Sequence, residues 1–267
     1  MQQNYHIVAP TGKKQPILVS VPHCGTAFPA DIAANFKQQQ IARVDDTDFF
    51  VHIIYDFVTE MGITLIYAHY SRWVIDLNRS PANKALYKDG RIITGLTPRT
   101  DFLGNPIYKS VTDEPDYKEI ERRKERYFQP YYNKITEILN SFKAEFGHAI
   151  LWDAHSIRRQ VSTIQEAPFP NFILGTNDGK TASEDLIQAA KSGLRSSTYD
   201  LSYNTPFKGG NITRHFGNPE QGIHALQLEM IKTLYMDDAE VQYHVGRANK
   251  LRRTLKYTLD LLGQVVS

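Results

Sequence analysis

Residues 117–155, YKEIERRKERYFQPYYNKITEILNSFKAEFGHAILWDAH, contain the pattern that decides the fold class. The stretch begins as an amphipathic helix, in which charged residues separate apolar ones at helical spacing: Tyr117, Ile120, Tyr127, Tyr131, Ile135, Ile138, Phe142 and Phe146. Pro130 predicts a kink or two abutting helices, because proline lacks the backbone N–H that a helix interior needs. Gly147 ends the helix, and residues 149–153 follow as a predicted strand whose end presents His155.

The same alternation of helix and strand patterns extends to both sides of this stretch. Short apolar runs predict strands at residues 17–21, 63–67, 72–76, 172–176 and 223–230, and amphipathic patterns predict helices at residues 49–61, 181–194 and 238–262. Residues 87–116 show no sustained period and predict a long loop. Alternating strands and helices are typical of an α/β fold with a mostly parallel central sheet. Without an internal repeat or a linker, we predict one domain over residues 1–267.

Composition and charge exclude several classes of function. The 267 residues include 31 Lys+Arg and 29 Asp+Glu, a formal net charge of +2 without a basic stripe, which disfavours nucleic-acid binding. No apolar run reaches the roughly 20 residues that a membrane-spanning helix needs. The N-terminal residues 1–15 lack a signal-peptide pattern, and Cys24 is the one cysteine, so a cytoplasmic protein is expected.

Candidate metal ligands fall at the ends of predicted strands. His23 follows the strand at residues 17–21, Asp46 and Asp48 precede a predicted helix, and His155 follows residues 149–153. Ligands of open α/β sheets gather at the carboxyl ends of the strands, and two histidines with one carboxylate form a common catalytic zinc site. The alternatives are hydrogen-bonded histidines without a metal, and aspartates that cap a helix.

Two further carboxylates are candidates for roles beside such a metal. Glu229 lies in an apolar stretch, where an unpaired carboxylate is costly to bury, and a buried carboxylate near a metal suits a general base. Its alternative is an ion pair with a nearby lysine. Asp153 precedes His155 by two residues and is placed to orient it, or else forms a strand-end hydrogen bond.

Cationic side chains indicate an anionic substrate. Arg72 and Arg79 flank an apolar run, and Asn78 is adjacent to Arg79. Guanidinium groups bind carboxylates with two hydrogen bonds, although each arginine is equally compatible with a solvated salt bridge. Lys208 and Arg214 flank the pair of glycines at 209–210, which lets the backbone approach a ligand or forms an ordinary turn.

Six ordered motifs together resemble the N-formylglutamate amidohydrolase (N-formylglutamate deformylase) family. They are VPHCG at 21–25, DTD at 46–48, YSRWVIDLNR at 70–79, LWDAHSIR at 151–158, FKGGNITRH at 207–215 and HALQLE at 224–229. The resemblance extends from the first strand to Met236 and implies a three-layer α/β/α core, phosphorylase/hydrolase-like and related to zinc carboxypeptidases. It also implies hydrolysis of N-formyl-L-glutamate to formate and L-glutamate in histidine degradation.

The resemblance assigns roles to the candidate residues. It implies one divalent metal, with Zn²⁺ expected and Co²⁺ or Mn²⁺ as alternatives. The metal ligands would be His23, Asp48 and His155, with Asp46 as the alternative carboxylate, because residues 24–26 offer no acidic ligand after the first histidine as related zinc peptidases do.

In the same assignment, Glu229 would take the proton from water and deliver it to the leaving amine. Asn78 and Arg79 would hold one carboxylate of the substrate, and Arg72 or Arg214 the other, with Lys208 as a further anion contact. Two other functions stay open at this stage: a related metal-dependent N-acyl-amino-acid deacylase or carboxypeptidase-like hydrolase, and a non-catalytic binding protein. The sequence indicates a small-molecule substrate and carries no signal for the oligomeric state.

Overall fold

Seven strands form one sheet in the computed structural model, which describes residues 4–82 and 94–266. The strands are β1 (Tyr5–Val8), β2 (Ile17–Val21), β3 (Thr64–Ala68), β4 (Ala149–Ile157), β5 (Phe172–Gly175), β6 (Leu201–Tyr203) and β7 (Ile223–Ile231). All residues of β2 and β4 are buried, as expected for central strands with both faces covered. The short edge strands β1 and β6 were not predicted, because half-exposed residues produce no apolar run.

The sheet is mixed, in the order β1-β3-β2-β4-β7-β5-β6. Its four central strands β3, β2, β4 and β7 are parallel, whereas β1 is antiparallel to β3 and β5 is antiparallel to β7. The predicted α/β class is therefore confirmed, and the expected mostly parallel sheet is found only in the centre. Since β2, β4 and β7 run in the same direction, their carboxyl ends lie at one edge of the sheet.

Helices cover both faces of the central strands. The helices of the described chain are α1 (Ala30–Ala33), α2 (Gln38–Ile41), α3 (Val51–Ile54), α4 (Tyr117–Arg123), α5 (Gln129–Phe146), α6 (Glu184–Arg195), α7 (Asn211–Phe216) and α8 (Val245–Val265). Of these, α6 and α8 lie on one face and α5 on the other. Alternate residues of β4 enter two separate apolar clusters, because successive side chains of a strand point to opposite faces. Trp152 packs in the cluster that includes α6 and α8, and Leu151 in the one that includes α5.

The predicted helix at residues 117–146 is present, with its irregularity slightly earlier than expected. A π-helical turn, Lys124–Phe128, joins α4 to α5, and Pro130 lies in the first turn of α5. Because α5 continues directly from this turn, Pro130 removes one backbone hydrogen bond from a continuous helix, and the carbonyl of Arg126, four residues earlier, accepts from the side-chain amide of Asn4. Gly147 ends the helix at a φ of 83°.

Four predicted elements differ in the structure. Residues 72–76 form turns rather than a strand, and the backbone N–H of Val74 donates to the Ser71 carbonyl. Instead of one helix at residues 49–61, α3 is followed by the 3₁₀ helix Asp56–Thr59, and α8 begins at Val245 rather than at 238.

The strand β4 extends to Ile157, so His155 lies inside the strand. Of the predicted loop, residues 87–93 lie outside the described part, and residues 94–116 contain only the 3₁₀ helix Val111–Asp113.

Across residues 4–82 and 94–266, no helix has both the length and the apolar character needed to cross a membrane.

His52, the histidine on α3, is expected to make the stability of the fold depend on pH. The ring of His52 stacks on Tyr67 with ring centroids 5.0 Å apart, and its buried Nδ1 has no hydrogen-bond partner in the described structure. Burial, with a smaller effect of His6, lowers the pKa of His52 below its ordinary value of 6.5. The unfolded chain therefore binds a proton at this site more readily than the folded chain, so stability is lost as the pH falls below about 6.5.

We expect replacement of His52 by phenylalanine, which keeps the stacking on Tyr67, to reduce this loss. The measurement is Tm at about pH 7.5 and about pH 5.5 for the wild type and the variant, because the change in this Tm difference between the two proteins isolates the contribution of His52. An unchanged difference in the variant would show that His52 is not responsible.

Candidate metal and active site

Two histidines and one aspartate come together at the carboxyl ends of β2 and β4. One ligand atom each from His23, Asp48 and His155 lies within 4.8 Å of the others, and all three side chains are buried. His155 Nδ1 is 3.2 Å and His23 Nδ1 is 3.8 Å from the same oxygen, Oδ2 of Asp48. The backbone N–H of Asp48 donates to the carbonyl of His23, which ties this loop to the end of β2. The three predicted ligands are thus neighbours.

The opposite nitrogen of each imidazole faces a different carboxylate. His23 Nε2 lies 2.7 Å from Asp76 Oδ1, and His155 Nε2 lies 3.1 Å from Asp153 Oδ2. An ionised carboxylate can only accept a hydrogen bond, so Nε2 of each ring is the nitrogen that carries a hydrogen toward Asp76 or Asp153. A cation bound beside Asp48 would then be met by the lone pair of each Nδ1. Metal-binding histidines have this arrangement, in which the outer N–H is held by a carboxylate.

Asp48 is held through its second oxygen. The hydroxyl of Ser156 donates to Asp48 Oδ1 at 3.2 Å, and the hydroxyl of Tyr235 donates to Ser156 at 2.8 Å. Neither Ser156 nor Tyr235 was predicted from the sequence, and nor was Asp76. Local signals existed for Asp76 and Ser156, which lie inside the motifs at 70–79 and 151–158, but not for Tyr235.

Arg72 forms a salt bridge with Asp76, the carboxylate that also contacts His23. Its Nη2 donates to Asp76 Oδ2 at 2.6 Å, its Nη1 donates to the carbonyl of Asp46, and its guanidinium carbon lies 4.7 Å from the centre of the Phe102 ring. Burial raises the pKa of Asp76, but Arg72 and His23 outweigh it and hold that pKa well below its usual value. Arg72 therefore acts on Asp76, and through Asp76 on the ring of His23.

The charges of the site favour a bound cation. Burial, and then the positive charge of Arg72, lower the pKa of His23 to about 4, so this imidazole is neutral and its Nδ1 can act as a ligand. Burial also lowers the pKa of His155, but Asp153 and Asp48 raise it well above the usual value, which means that this position attracts positive charge. Two imidazole nitrogens and one carboxylate oxygen are a donor set that divalent transition metals prefer, so the residues fit such an ion.

Glu229 faces this cluster from the neighbouring strand. It lies on β7 in register with His155 on β4, and it forms no ion pair with a lysine or arginine of the described chain. Burial raises the pKa of Glu229 to about 7, against a smaller lowering by His155. A carboxyl group with a pKa near the working pH can both accept and release a proton.

The structure separates the two candidate aspartates of the loop. The carboxylate of Asp46 accepts from the indole N–H of Trp73 at 3.1 Å and from the backbone N–H of Phe102 at 3.2 Å. It is not part of the cluster around His23 and His155. Asp48 is the aspartate that the fold brings to the histidines, and Asp46 holds two neighbouring loops together.

Asn78 lies between the site and the glycine turn. Its Nδ2 is 3.0 Å from His155 Nε2, and its Oδ1 accepts from the backbone N–H of Ile212 at 2.8 Å. A Cβ on Gly210 would lie only 2.3 Å from Asn78 Nδ2. Position 210 therefore requires glycine because any larger side chain would collide with Asn78, and this requirement does not depend on the flexibility of the turn.

The remaining cationic candidates lie at different distances from the cluster. Arg79 Nε is 3.9 Å from Asp76 Oδ2 and donates to the carbonyl of Thr94 at 2.9 Å. Arg214 donates to the carbonyl of Gly209 at 2.8 Å, at the glycine turn. Lys208 is partly exposed and pairs with Asp178 at 2.8 Å. Of these three, Arg79 is linked to the cluster through Asp76.

Three comparisons relate this chain to proteins of known family. The family profile described as N-formylglutamate amidohydrolase matches residues 15–236. An N-formylglutamate deformylase of Pseudomonas aeruginosa is 39% identical over 249 residues, and one of Pseudomonas putida is 36% identical over 249 residues, each match covering 92% of both chains. The crystal structure of an N-formylglutamate amidohydrolase from Ralstonia eutropha JMP134 superposes with a TM-score of 0.83 at 26% identity and covers 98% of both chains.

Proposed function

This chain belongs to the N-formylglutamate amidohydrolase family, and from that premise we propose that residues 1–267 form one catalytic domain that hydrolyses N-formyl-L-glutamate to formate and L-glutamate. The observation that carries the proposal is the buried group of His23, Asp48 and His155 with Glu229 in register beside it. The proposal places this reaction in histidine degradation in the cytoplasm.

The metal in this proposal is a divalent cation, with Zn²⁺ expected and Co²⁺ or Mn²⁺ as alternatives. Its ligands are Nδ1 of His23, Oδ2 of Asp48 and Nδ1 of His155, each held by a partner on its far side. When bound there, the cation would supply Lewis acidity, which polarises a carbonyl oxygen and lowers the pKa of water to about 7. Asp76 and Asp153 keep the two imidazoles in the tautomer that offers Nδ1.

Glu229 is the proton carrier in this proposal. Its carboxylate takes a proton from the water whose oxygen attacks the formyl carbon. As the carbon–nitrogen bond breaks, the same carboxyl group gives the proton to the amine of glutamate, and formate is the other product. The pKa of about 7 that burial gives Glu229 suits both transfers at neutral pH.

Arginines at the edge of the site are proposed to bind the two carboxylates of the substrate. Arg79, next to Asn78, holds one of them, and Arg214 at the glycine turn holds the other. Lys208 contributes charge from the outer side. The role expected for Arg72 as a substrate ligand is replaced by that of a positioning residue, because its guanidinium is buried against Asp76.

The experiment that tests this function is formate release from N-formyl-L-glutamate by the purified protein. It is measured before chelation, after chelation, and after Zn²⁺, Co²⁺ or Mn²⁺ has been restored, with N-acetyl-L-glutamate as the comparison substrate. We expect formate release that is lost on chelation and recovered with metal. Turnover of the acetyl compound alone would instead indicate a related N-acyl-amino-acid deacylase, and absence of both turnover and bound metal would indicate a binding protein.

A further inference from the structure

Gln227 is a buried residue whose side chain faces the proposed active site, and the proposed mechanism assigns it no role. It lies on β7 two residues before Glu229 and is 4% exposed. Residues i and i+2 of a strand point to the same face of the sheet, so the amide of Gln227 and the carboxylate of Glu229 are neighbours. Its position between apolar residues of the strand makes a fully hydrogen-bonded amide necessary.

The orientation of the Gln227 amide follows from its partners. Its Oε1 is 2.6 Å from the backbone nitrogen of Gly210 and 3.3 Å from Nδ2 of Asn78. A backbone N–H can only donate, so the atom facing Gly210 is the oxygen. The NH₂ end of the amide therefore faces Glu229, and Nε2 donates to Glu229 Oε1 at 3.1 Å.

This hydrogen bond makes the two oxygens of Glu229 unequal. Oε1 is occupied by Gln227, whereas Oε2 accepts no hydrogen bond from the described part of the chain. A carboxylate that takes a proton from water needs one oxygen free and a fixed orientation. Gln227 provides both conditions.

The same amide connects Glu229 to the glycine turn. Gly210 directly precedes α7, and Gly209 has a φ of 101°, a backbone conformation that glycine adopts without strain. Asn78, the second donor to Gln227 Oε1, also accepts from Ile212 at the start of α7. A displacement of the turn would therefore be transmitted to the carboxylate of Glu229.

We infer that Gln227 is a positioning residue, whose amide holds Oε1 of Glu229 so that Oε2 takes the proton, and which couples this carboxylate to the Gly209–Gly210 turn. The inference rests on the proposed function, because it takes Glu229 as the proton carrier. It assigns a role to a residue whose hydrogen bonds join Glu229 to Gly210 and Asn78.

Two substitutions separate the hydrogen bond that Gln227 donates to Glu229 from the hydrogen bonds that it accepts from Gly210 and Asn78. In Gln227→Glu, oxygens can still accept from Gly210 and Asn78, but the N–H donor to Glu229 is replaced by a second carboxyl group, which also raises the pKa of the pair. In Gln227→Met, the donated and the accepted hydrogen bonds are all lost. We expect both variants to lower kcat for N-formyl-L-glutamate by about 10- to 100-fold, with KM within about twofold of the wild type and with metal content unchanged.

A matched control makes the same chemical change elsewhere. Gln15 is partly buried, its Nε2 donates to the carbonyl of Met61, and it precedes β2, at the opposite end of that strand from His23. Gln15→Met should reduce Tm and leave kcat unchanged. Full kcat in Gln227→Glu with a loss only in Gln227→Met would restrict Gln227 to supporting the turn, and would overturn the inference.

Crystal structures of the two Gln227 variants supply a readout that does not depend on turnover. We expect the Glu229 carboxylate to leave its wild-type position in both variants while the fold is retained. An unmoved Glu229 would contradict the inference even if activity fell. If the wild-type protein releases no formate, the proposed function fails, and the position of Glu229 in the variants still decides whether Gln227 holds it.

Discussion

Replacement of Glu229 by glutamine is expected to lower kcat for formate release by about 10²- to 10⁴-fold, the usual contribution of a positioned general base. Glutamine has nearly the same shape but cannot take a proton from water. The pKa of about 7 places the wild-type carboxyl group where proton uptake and release are both feasible. Because Glu229 is not in the group formed by His23, Asp48 and His155, the variant should retain stoichiometric metal.

Glu220→Gln is a suitable control for this experiment. Glu220 is an exposed residue of the 3₁₀ helix Pro219–Gln221, just before β7, so the same change there should leave kcat unaltered. The measurements are kcat and metal content of both variants. A Glu229→Gln protein with bound metal and a kcat within about threefold of wild type would remove Glu229 from the reaction.

Replacement of Asp48 by alanine is expected to reduce bound zinc to well below one ion per chain and to lower activity by more than about 10²-fold. Asp48 is the one anionic member of the buried three-residue group, and both imidazole Nδ1 atoms face its Oδ2. Its removal leaves two neutral donors and abolishes the attraction between the carboxylate and a cation. Ser156, which donates to Asp48, also loses its acceptor.

Asp46→Ala removes the same group two positions earlier in the chain. Since Asp46 accepts from Trp73 and Phe102 and lies outside the cluster, this variant should have a lower Tm and still bind zinc. Elemental analysis of both variants decides between the two aspartates without any assay of turnover. Zinc lost from Asp46→Ala but retained in Asp48→Ala would reverse the proposed ligand assignment.

Most of the sheet was predictable because its central strands are buried on both faces. An uninterrupted apolar run such as Ile17–Val21 has few other conformations that bury it completely. Residues 72–76 show the limit of this argument, since Trp73, Val74 and Ile75 are apolar and buried but lie outside any strand. Burial there comes from packing under neighbouring loops, and a local pattern cannot distinguish that from burial inside a sheet.

The direction of the outer strands also could not be predicted from the sequence pattern. Alternating helices and strands predict parallel neighbours, but β5 lies antiparallel to β7, and β1 antiparallel to β3. Pairing direction depends on how the chain crosses the sheet between strands, which the residues of a single strand do not encode.

The sequence by itself determined the α/β class, the two buried strands that lead to His23 and His155, and the short list of carboxylates near them. The tertiary structure decided which carboxylate meets which histidine: Asp48 lies 107 residues from its partner His155, and Asp76 lies 53 residues from its partner His23. Hydrogen bonds of this kind depend on side chains that only the folded sheet brings within about 3 Å of each other. A local sequence pattern reports burial and secondary structure, so it names the candidates, whereas their pairing is a property of the packed chain.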